Sequence, residues 1–257
     1  MLLTDVVVAT DMNPTYYQLI PPFIKAWKTL FPNVNIHIVL IADEIVEELL
    51  PYKEHIKLFS PIEGIETSFI AQNVRLFYPP LLTEAKGGIL ITDMDILPMN
   101  TSYYADPIKD IGDDKFVCYR QLGCVGPKEM VMCYNIARHE TWKSVFETSS
   151  EDDVRERIKA IYGLHKYKGK DAGIHYKPFW ITDQLHLYEK TQDWNKRTQN
   201  LIILNDKITK FRRLDRGRMP EKEQIIHVVK NKLCTDFHVP RPYSENKEYI
   251  DVVIALL

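Results

Sequence analysis

Hydrophobic residues recur along the chain with two periods, one suited to buried strands and one to amphipathic helices. Residues 2–10 carry the continuous run Val6-Val7-Val8-Ala9, which predicts a first strand buried on both faces. Thr10-Asp11-Met12-Asn13-Pro14 breaks it as a turn. Phe23, Ala26, Trp27 and Leu30 then repeat at i, i+3, i+4 and i+7, predicting a helix with Pro21-Pro22 near its start. Val34, Ile36, Ile38 and Leu40 alternate and predict a second strand over 34–42. A short helix over 44–50 ended by Pro51, a strand over 56–59 and a helix over 68–82 ended or kinked by Pro79-Pro80 follow. Gly87-Gly88 releases a short apolar run, Ile89-Leu90-Ile91, which reads as a buried strand.

The second half is less regular. Asp106-Pro107 reads as an N-cap with Pro at the first helical position. Strands are predicted over 116–119, 130–136, 201–204 and 225–229, and helices over 139–148 and 151–162. A helix capped by Thr182 or Asp183 should run to about Lys190, and one capped by Ser244 should close the chain. Residues 166–177, with four lysines and two glycines, read as a surface loop or a lid over an anion. Strands alternating with helices predict an α/β fold with a mixed, mainly parallel sheet flanked by helices. The whole of 1–257 reads as one domain, with a nucleotide-binding half at 1–100 and an acceptor-binding half at 101–257.

Composition narrows the function classes. A net charge of −2 with scattered Lys and Arg lacks the footprint of a nucleic-acid binder. No apolar run approaches the roughly 20 residues of a membrane helix. The opening MLLTDVVVATD reads as a strand and not a signal peptide. Cys118, Cys124, Cys133 and Cys234 have no metal spacing, and four free thiols point to the cytoplasm, with a disulfide left open.

The candidate chemistry centres on Asp93-Met94-Asp95, directly after the Gly-led strand. Carboxylates at the C-terminal end of a strand lie where open α/β sheets bind ligands. In an extended chain i and i+2 share a side, so the pair suits a hard divalent cation shared with a phosphate; a solvated polar turn is the alternative. Arg75 is either a snorkelling surface residue or aimed at a phosphate or carboxylate. Asp183 is a helix cap or a site carboxylate, and Phe179-Trp180 is core or a platform for a sugar ring. Arg212, Arg213, Arg216 and Arg218 surround Gly217, either facing solvent or gripping phosphate.

Taken in order, Ala9-Thr10-Asp11 ending the first strand, Arg75 in RLFYPPLL, Asp93-Met94-Asp95, Asp183-Gln184 and a lone His238 resemble the GT-A glycosyltransferases. Among them the family 8 type is the nearest in pattern, the glycogenins and bacterial lipopolysaccharide galactosyltransferases. The resemblance implies a single GT-A domain with a C-terminal metal-ligand tail. It implies Mn²⁺ or Mg²⁺ held by Asp93, Asp95 and His238, with Mn²⁺ better suited to an imidazole ligand. It also implies that Ala9, Thr10, Asp11 and Tyr17 line the nucleoside pocket, with Met94 between the two metal carboxylates. Arg75 would contact the donor, and Asp183 and Gln184 the sugar. The implied reaction moves a sugar from a UDP- or GDP-sugar to a glycan, lipid-linked or protein hydroxyl, with retention favoured over inversion. The tail departs from the pattern: His238-Val239-Pro240-Arg241-Pro242-Tyr243 lacks the usual Gly and Lys, leaving Arg241 or the 212–218 arginines to hold the diphosphate. His227 is the rival ligand, read as a buried histidine within a strand. The competing readings are a HAD-type phosphatase, disfavoured by Ile96-Leu97-Pro98 after the carboxylates, and a non-catalytic nucleotide-sugar-binding protein.

Overall fold

The structure, a computed structural model, describes residues 1–120, 128–164, 181–218 and 221–257. The first half alternates β1 (Leu3–Asp11), α1 (Pro14–Tyr17), α2 (Ile20–Leu30), β2 (Asn35–Ile41), β3 (Ile56–Phe59), α3 (Thr67–Phe77) and β4 (Gly88–Ile91). β5 (Ile96–Pro98), α4 (Thr101–Ala105), β6 (Phe116–Cys118), β7 (Asn135–Arg138), α5 (His139–Phe146) and α6 (Glu151–Gly163) follow. The chain ends with α7 (Thr182–Thr198), β8 (Leu201–Ile203), α8 (Asp206–Thr209), β9 (Arg213–Asp215), α9 (Lys222–Lys230), β10 (Asp236–His238) and α10 (Tyr243–Leu256).

Among the described residues these strands form two sheets. The larger has the order β3-β2-β1-β4-β7-β6-β8. β3, β2, β1 and β4 are parallel, β7 runs against both β4 and β6, and β8 is parallel to β6. The sheet is therefore mixed and mainly parallel. Helices cover both faces, as the doubly buried β1 requires. Val6 and Val8 pack in one core with α2 and α10, while Val7 packs in the other with α3, α5 and α6. The smaller sheet has the order β5-β10-β9.

Gly87 and Gly88 let β4 enter the centre of the large sheet. A Cβ on Gly87 would lie 2.4 Å from the Leu2 carbonyl oxygen, and one on Gly88 2.7 Å from Ile136 Cδ1. The Gly88 N–H donates to that Leu2 carbonyl at 2.6 Å, so the backbones meet where no side chain fits.

Several sequence expectations are corrected. Residues 225–229 lie in α9, not a strand: Ile225 and Val229 are both buried and one helical turn apart, a spacing that a five-residue apolar run conceals. His227 on that helix is exposed. The helix expected near 44–50 is a 3₁₀ segment, Glu47–His55, with Pro51 inside it. Asp106 closes α4 at its C-terminal end; the N-cap is Asn100, whose side chain accepts from Ser102 N. The strand expected over 130–136 is displaced: β7 is Asn135–Arg138, overlapping it only at Asn135 and Ile136. α7 continues to Thr198, and α10 begins at Tyr243. Residues 166–177, Phe179, Trp180 and Cys124 lie outside the described residues.

Candidate active site

β4 ends at Ile91 in the middle of the large sheet, between parallel β1 and antiparallel β7. The chain then turns: the Ile96 N–H donates to the Asp93 carbonyl at 3.1 Å, and β5 leaves for the small sheet. Asp93 and Asp95 therefore do not share one side of an extended strand, as i, i+2 spacing suggested. Each faces its own set of cations. Met94 between them is buried in the core.

Asp93 belongs to the large sheet. Arg75, in the last turn of α3 and buried, donates to the Thr92 carbonyl at 3.0 Å and to the Asp93 carboxylate. Its other terminal nitrogen donates to Asp183 Oδ2 at 3.1 Å. Burial lowers the guanidinium pKa, but the Asp93 and Asp183 charges outweigh it and raise the net value. Asp183, at the start of α7, is only 3% exposed. Burial pushes its pKa up to about 7, against the opposing charge of Arg75 and with the help of Asp93. Its Oδ1 accepts from the Gln184 N–H at 2.8 Å within the first turn of α7; the N-cap is Ile181, not Thr182 or Asp183 as expected, because both already lie inside the helix. The Gln184 carbonyl in turn accepts from Met130 N at 3.2 Å.

Asp95 belongs to the small sheet. Its carbonyl accepts from Val239 N at 2.9 Å, extending the pairing in which Ile96 faces His238. Three cationic or imidazole groups among the described residues meet Asp95 Oδ2: Arg216 Nη1 at 2.7 Å, His238 Nε2 at 3.3 Å and Arg241 Nε at 3.5 Å. Burial raises the Asp95 pKa, but the His238 hydrogen bond and the three neighbours hold it well below the usual carboxylate range. β9 runs parallel to β10 with Asp215 beside His238 and Arg213 beside Asp236. The register thus makes two acid–base pairs across adjacent strands. Asp215 Oδ2 stands 3.6 Å from His238 Nδ1, while its Oδ1 accepts from the Gly217 N–H at 3.0 Å. Arg213 forks onto the fully buried Asp236 at 2.9 and 3.0 Å, and the Tyr134 hydroxyl donates to the same carboxylate. Burial drives the Asp236 pKa well up.

The first-strand residues lie at the C-terminal end of β1. Asp11 accepts from Asn13 N at 3.1 Å and from Thr67 Oγ1 at 2.9 Å, which ties the turn to the start of α3. Thr10 Oγ1 donates to the Asp11 carbonyl, and Ala9 packs against the α3 side of the core. Tyr17 faces Glu48, and it is Tyr16 whose ring lies 4.5 Å under the Arg241 guanidinium, near Asp95. Tyr16 and Asp236 carried no sequence signal beyond their type. Arg213 and Asp215 do alternate within RRLDRGR, a spacing that puts both on one face of a strand.

A divalent cation needs oxygen or imidazole donors that converge, each with a supporting partner. Asp95 and His238 supply such a pair, and Asp215 stands behind the imidazole as such a partner does. Asp93 is turned to Arg75 instead, so among the described residues no three His, Cys, Asp or Glu side chains are grouped as ligands. The donor chemistry fits Mn²⁺ through Asp95 and His238.

This fold is shared with a solved glycosyltransferase. The apo form of the glycosyltransferase GlyE from Streptococcus pneumoniae TIGR4 superposes with a TM-score of 0.52 and 16% identity, over 99% of this chain and 63% of that one. The galactosyltransferase LgtC, solved in complex with donor and acceptor sugar analogs, gives 0.48 and 13% identity, over 99% of this chain and 96% of LgtC. No family model and no curated protein matches the chain. At such identities the likeness is one of fold, and what the site does has to be argued from its own residues.

Proposed function

We propose that this chain is a glycosyltransferase that moves a sugar from a nucleotide-diphosphate donor, UDP- or GDP-linked, to a hydroxyl of a glycan, lipid-linked or protein acceptor. The observation that carries the reading is the meeting of Asp93, Asp95, Asp183 and His238 with Arg75, Arg216 and Arg241 at the C-terminal end of β4. Acidic and cationic groups interleaved at such a strand end suit a ligand carrying both a cation and a diphosphate. Mn²⁺ or Mg²⁺ bound through Asp95 and His238 would supply Lewis-acid stabilisation of the departing diphosphate.

The chain's own residues do the rest. Ala9, Thr10, Asp11 and Tyr16 border the end of β1 where a nucleoside would rest. Arg75 fixes Asp93 and Asp183 relative to each other, so the diphosphate and sugar ends of the donor meet pre-placed groups. Asp183 and Gln184 hold the sugar. The resemblance favours retention of anomeric configuration, with Asp183 orienting the donor. One observation favours inversion: a carboxyl titrating at about 7 is matched to removing the acceptor's proton near neutral pH. The anomeric configuration of the product, read by NMR, separates the two. An aspartyl-phosphate mechanism would need the first Asp free, and Arg75 holds Asp93. The buried thiols of Cys118, Cys133 and Cys234 support action on the cytoplasmic side.

Thermal unfolding with UDP, GDP and their sugars, each with and without Mn²⁺, tests the reading. Stabilisation by one nucleotide diphosphate should require Mn²⁺ and vanish in Asp95→Ala, together with sugar transfer or donor hydrolysis. Retained Mn²⁺-dependent turnover in that variant would sink the metal assignment.

A further inference from the structure

One oxygen of the Asp95 carboxylate is already crowded in the free protein. A carboxylate oxygen offers about two lone pairs, and Oδ2 faces Arg216, His238 and Arg241 together. A cation that takes this oxygen has to displace one of them. Two are fixed by the fold. His238 ends β10, which is paired on both sides, and Asp215 stands behind its ring. Arg241 lies over the Tyr16 ring and is 19% exposed on its side chain.

Arg216 differs from both. It makes the shortest of the three contacts, yet its side chain is 31% exposed. It sits in the 3₁₀ turn Arg216–Arg218, just past β9, which pairs only with β10. That turn is pinned at its base, where the Gly217 N–H meets Asp215, so the guanidinium can swing while its backbone stays beside the site. A planar guanidinium is also the side chain best shaped to fork onto phosphate oxygens.

We propose that Arg216 is a two-position residue, the counter-ion of Asp95 in the free protein and a diphosphate ligand once a divalent cation takes Asp95. This inference rests on the donor and metal reading above. It makes cation and nucleotide binding interdependent. Without the cation, Arg216 is spent on Asp95 Oδ2; with it, the freed guanidinium meets the diphosphate that the cation also attracts. It also assigns a cation to the role left open by the missing Gly and Lys of the tail.

The test is Mn²⁺ binding by nucleotide-free protein, measured by electron paramagnetic resonance of the free ion, in the wild type, Arg216→Gln and Arg241→Gln. Removing the competitor should tighten Mn²⁺ binding by about tenfold in Arg216→Gln, the scale of one hydrogen bond to a charged group. Arg241→Gln removes the same charge with a longer contact, so its gain should be clearly smaller. With Mn²⁺ saturating, Arg216→Gln should bind UDP or GDP about tenfold more weakly and the parent nucleoside unchanged. Melting curves in EDTA confirm that each variant folds. Equal gains in the two variants would mean a general field effect, and an unchanged Mn²⁺ affinity in Arg216→Gln would mean no competition; either overturns the inference and leaves the donor reading standing. Nucleotide binding without any Mn²⁺ binding overturns the inference and the metal assignment together. Failure of the wild type to bind any nucleotide diphosphate overturns the donor reading itself.

Discussion

Replacing Asp183 with asparagine changes a single ionisable group at a buried point of the site. The carboxyl is 3% exposed, accepts from Arg75 at 3.1 Å, and titrates at about 7 because burial outweighs that partner. In the unfolded chain it titrates near 3.9. The folded value is the raised one, so the native state keeps a proton that the unfolded state has released between about pH 4 and 7. Stability from this group is therefore fully present below about pH 4 and is lost as pH rises through about 7, at roughly 1.4 kcal/mol per unit. Between pH 5 and 8 the wild type should lose roughly 3 kcal/mol through Asp183, and Asp183→Asn should lose none of it. Urea unfolding of both proteins at pH 5 and pH 8 isolates the term, since the other titrations cancel in the difference. The gap between wild type and variant should move by roughly 3 kcal/mol in favour of the variant at the higher pH. A gap constant to within about 1 kcal/mol would refute the claim that burial dominates over Arg75. Sugar transfer adds a second reading. If Asp183 is the base, wild-type kcat/KM should rise with pH and level off near 7; if it only orients the donor, that step should be missing although the variant is still impaired.

Other perturbations probe the scaffold. Arg213→Ala strips the fork from the fully buried Asp236 and should cost roughly 3 kcal/mol in denaturant unfolding, part of which Asp236→Asn in the same chain should restore. Gly87→Ala puts a Cβ 2.4 Å from the Leu2 carbonyl oxygen and should destabilise by about 1–3 kcal/mol, whereas Gly163→Ala, with nothing within 4 Å, should be neutral or slightly stabilising. Asp5 is buried and accepts from Thr4 and Asn35 while pairing with His37 at 2.8 Å; burial raises its pKa, but these partners bring it below the usual value. Asp5→Asn should therefore cost about 1–2 kcal/mol at pH 7, and the cost should fade as pH falls from about 4, where the unfolded carboxylate protonates, through the lower pKa of the folded one.

The large sheet was legible because its signals are local. Val6-Val7-Val8 and Ile89-Leu90-Ile91 announce strands buried on both faces, and the carboxylates that follow Ile91 then fall at a strand end by counting alone. The small sheet was not legible. β5, β9 and β10 are three residues each, too short to show a period, and the pairing of β5 with β10 joins positions more than a hundred residues apart. His238 entered through the resemblance, and the register then brings it within 3.3 Å of Asp95. Arg213 and Arg216 looked like parts of a charged loop because only the pairing of β9 with β10 brings that segment beside Asp236 and Asp95. Tyr16 and Tyr17 are adjacent in a four-residue helix, and composition has no means of choosing which ring faces the site. The i, i+2 argument for Asp93 and Asp95 failed for a definite reason: β4 stops two residues before Asp93, so extended-chain geometry does not reach the motif.

That failure shows how the fold governs the site. Asp93 is tied to the large sheet through Arg75 and Asp95 to the small one through His238, so their separation depends on how firmly the two sheets are joined. Tyr134 is the rivet. Its N–H donates to the Ile91 carbonyl at the end of β4, and its hydroxyl reaches Asp236 on β10. Its φ of 73° is costly for a bulky aromatic, by about 1–3 kcal/mol. Such a conformation persists only where its surroundings fix it, and here they do: the backbone is bonded to Ile91 and Tyr119, the ring is fully buried, and the hydroxyl lies between Asp236 and Arg213. A left-handed residue at this point lets one side chain leave the large sheet's edge of the site and end in the small sheet. The strain is thus located where the two sheets meet: Tyr134 is bonded to Ile91, two residues before Asp93, and to Asp236, two residues before His238.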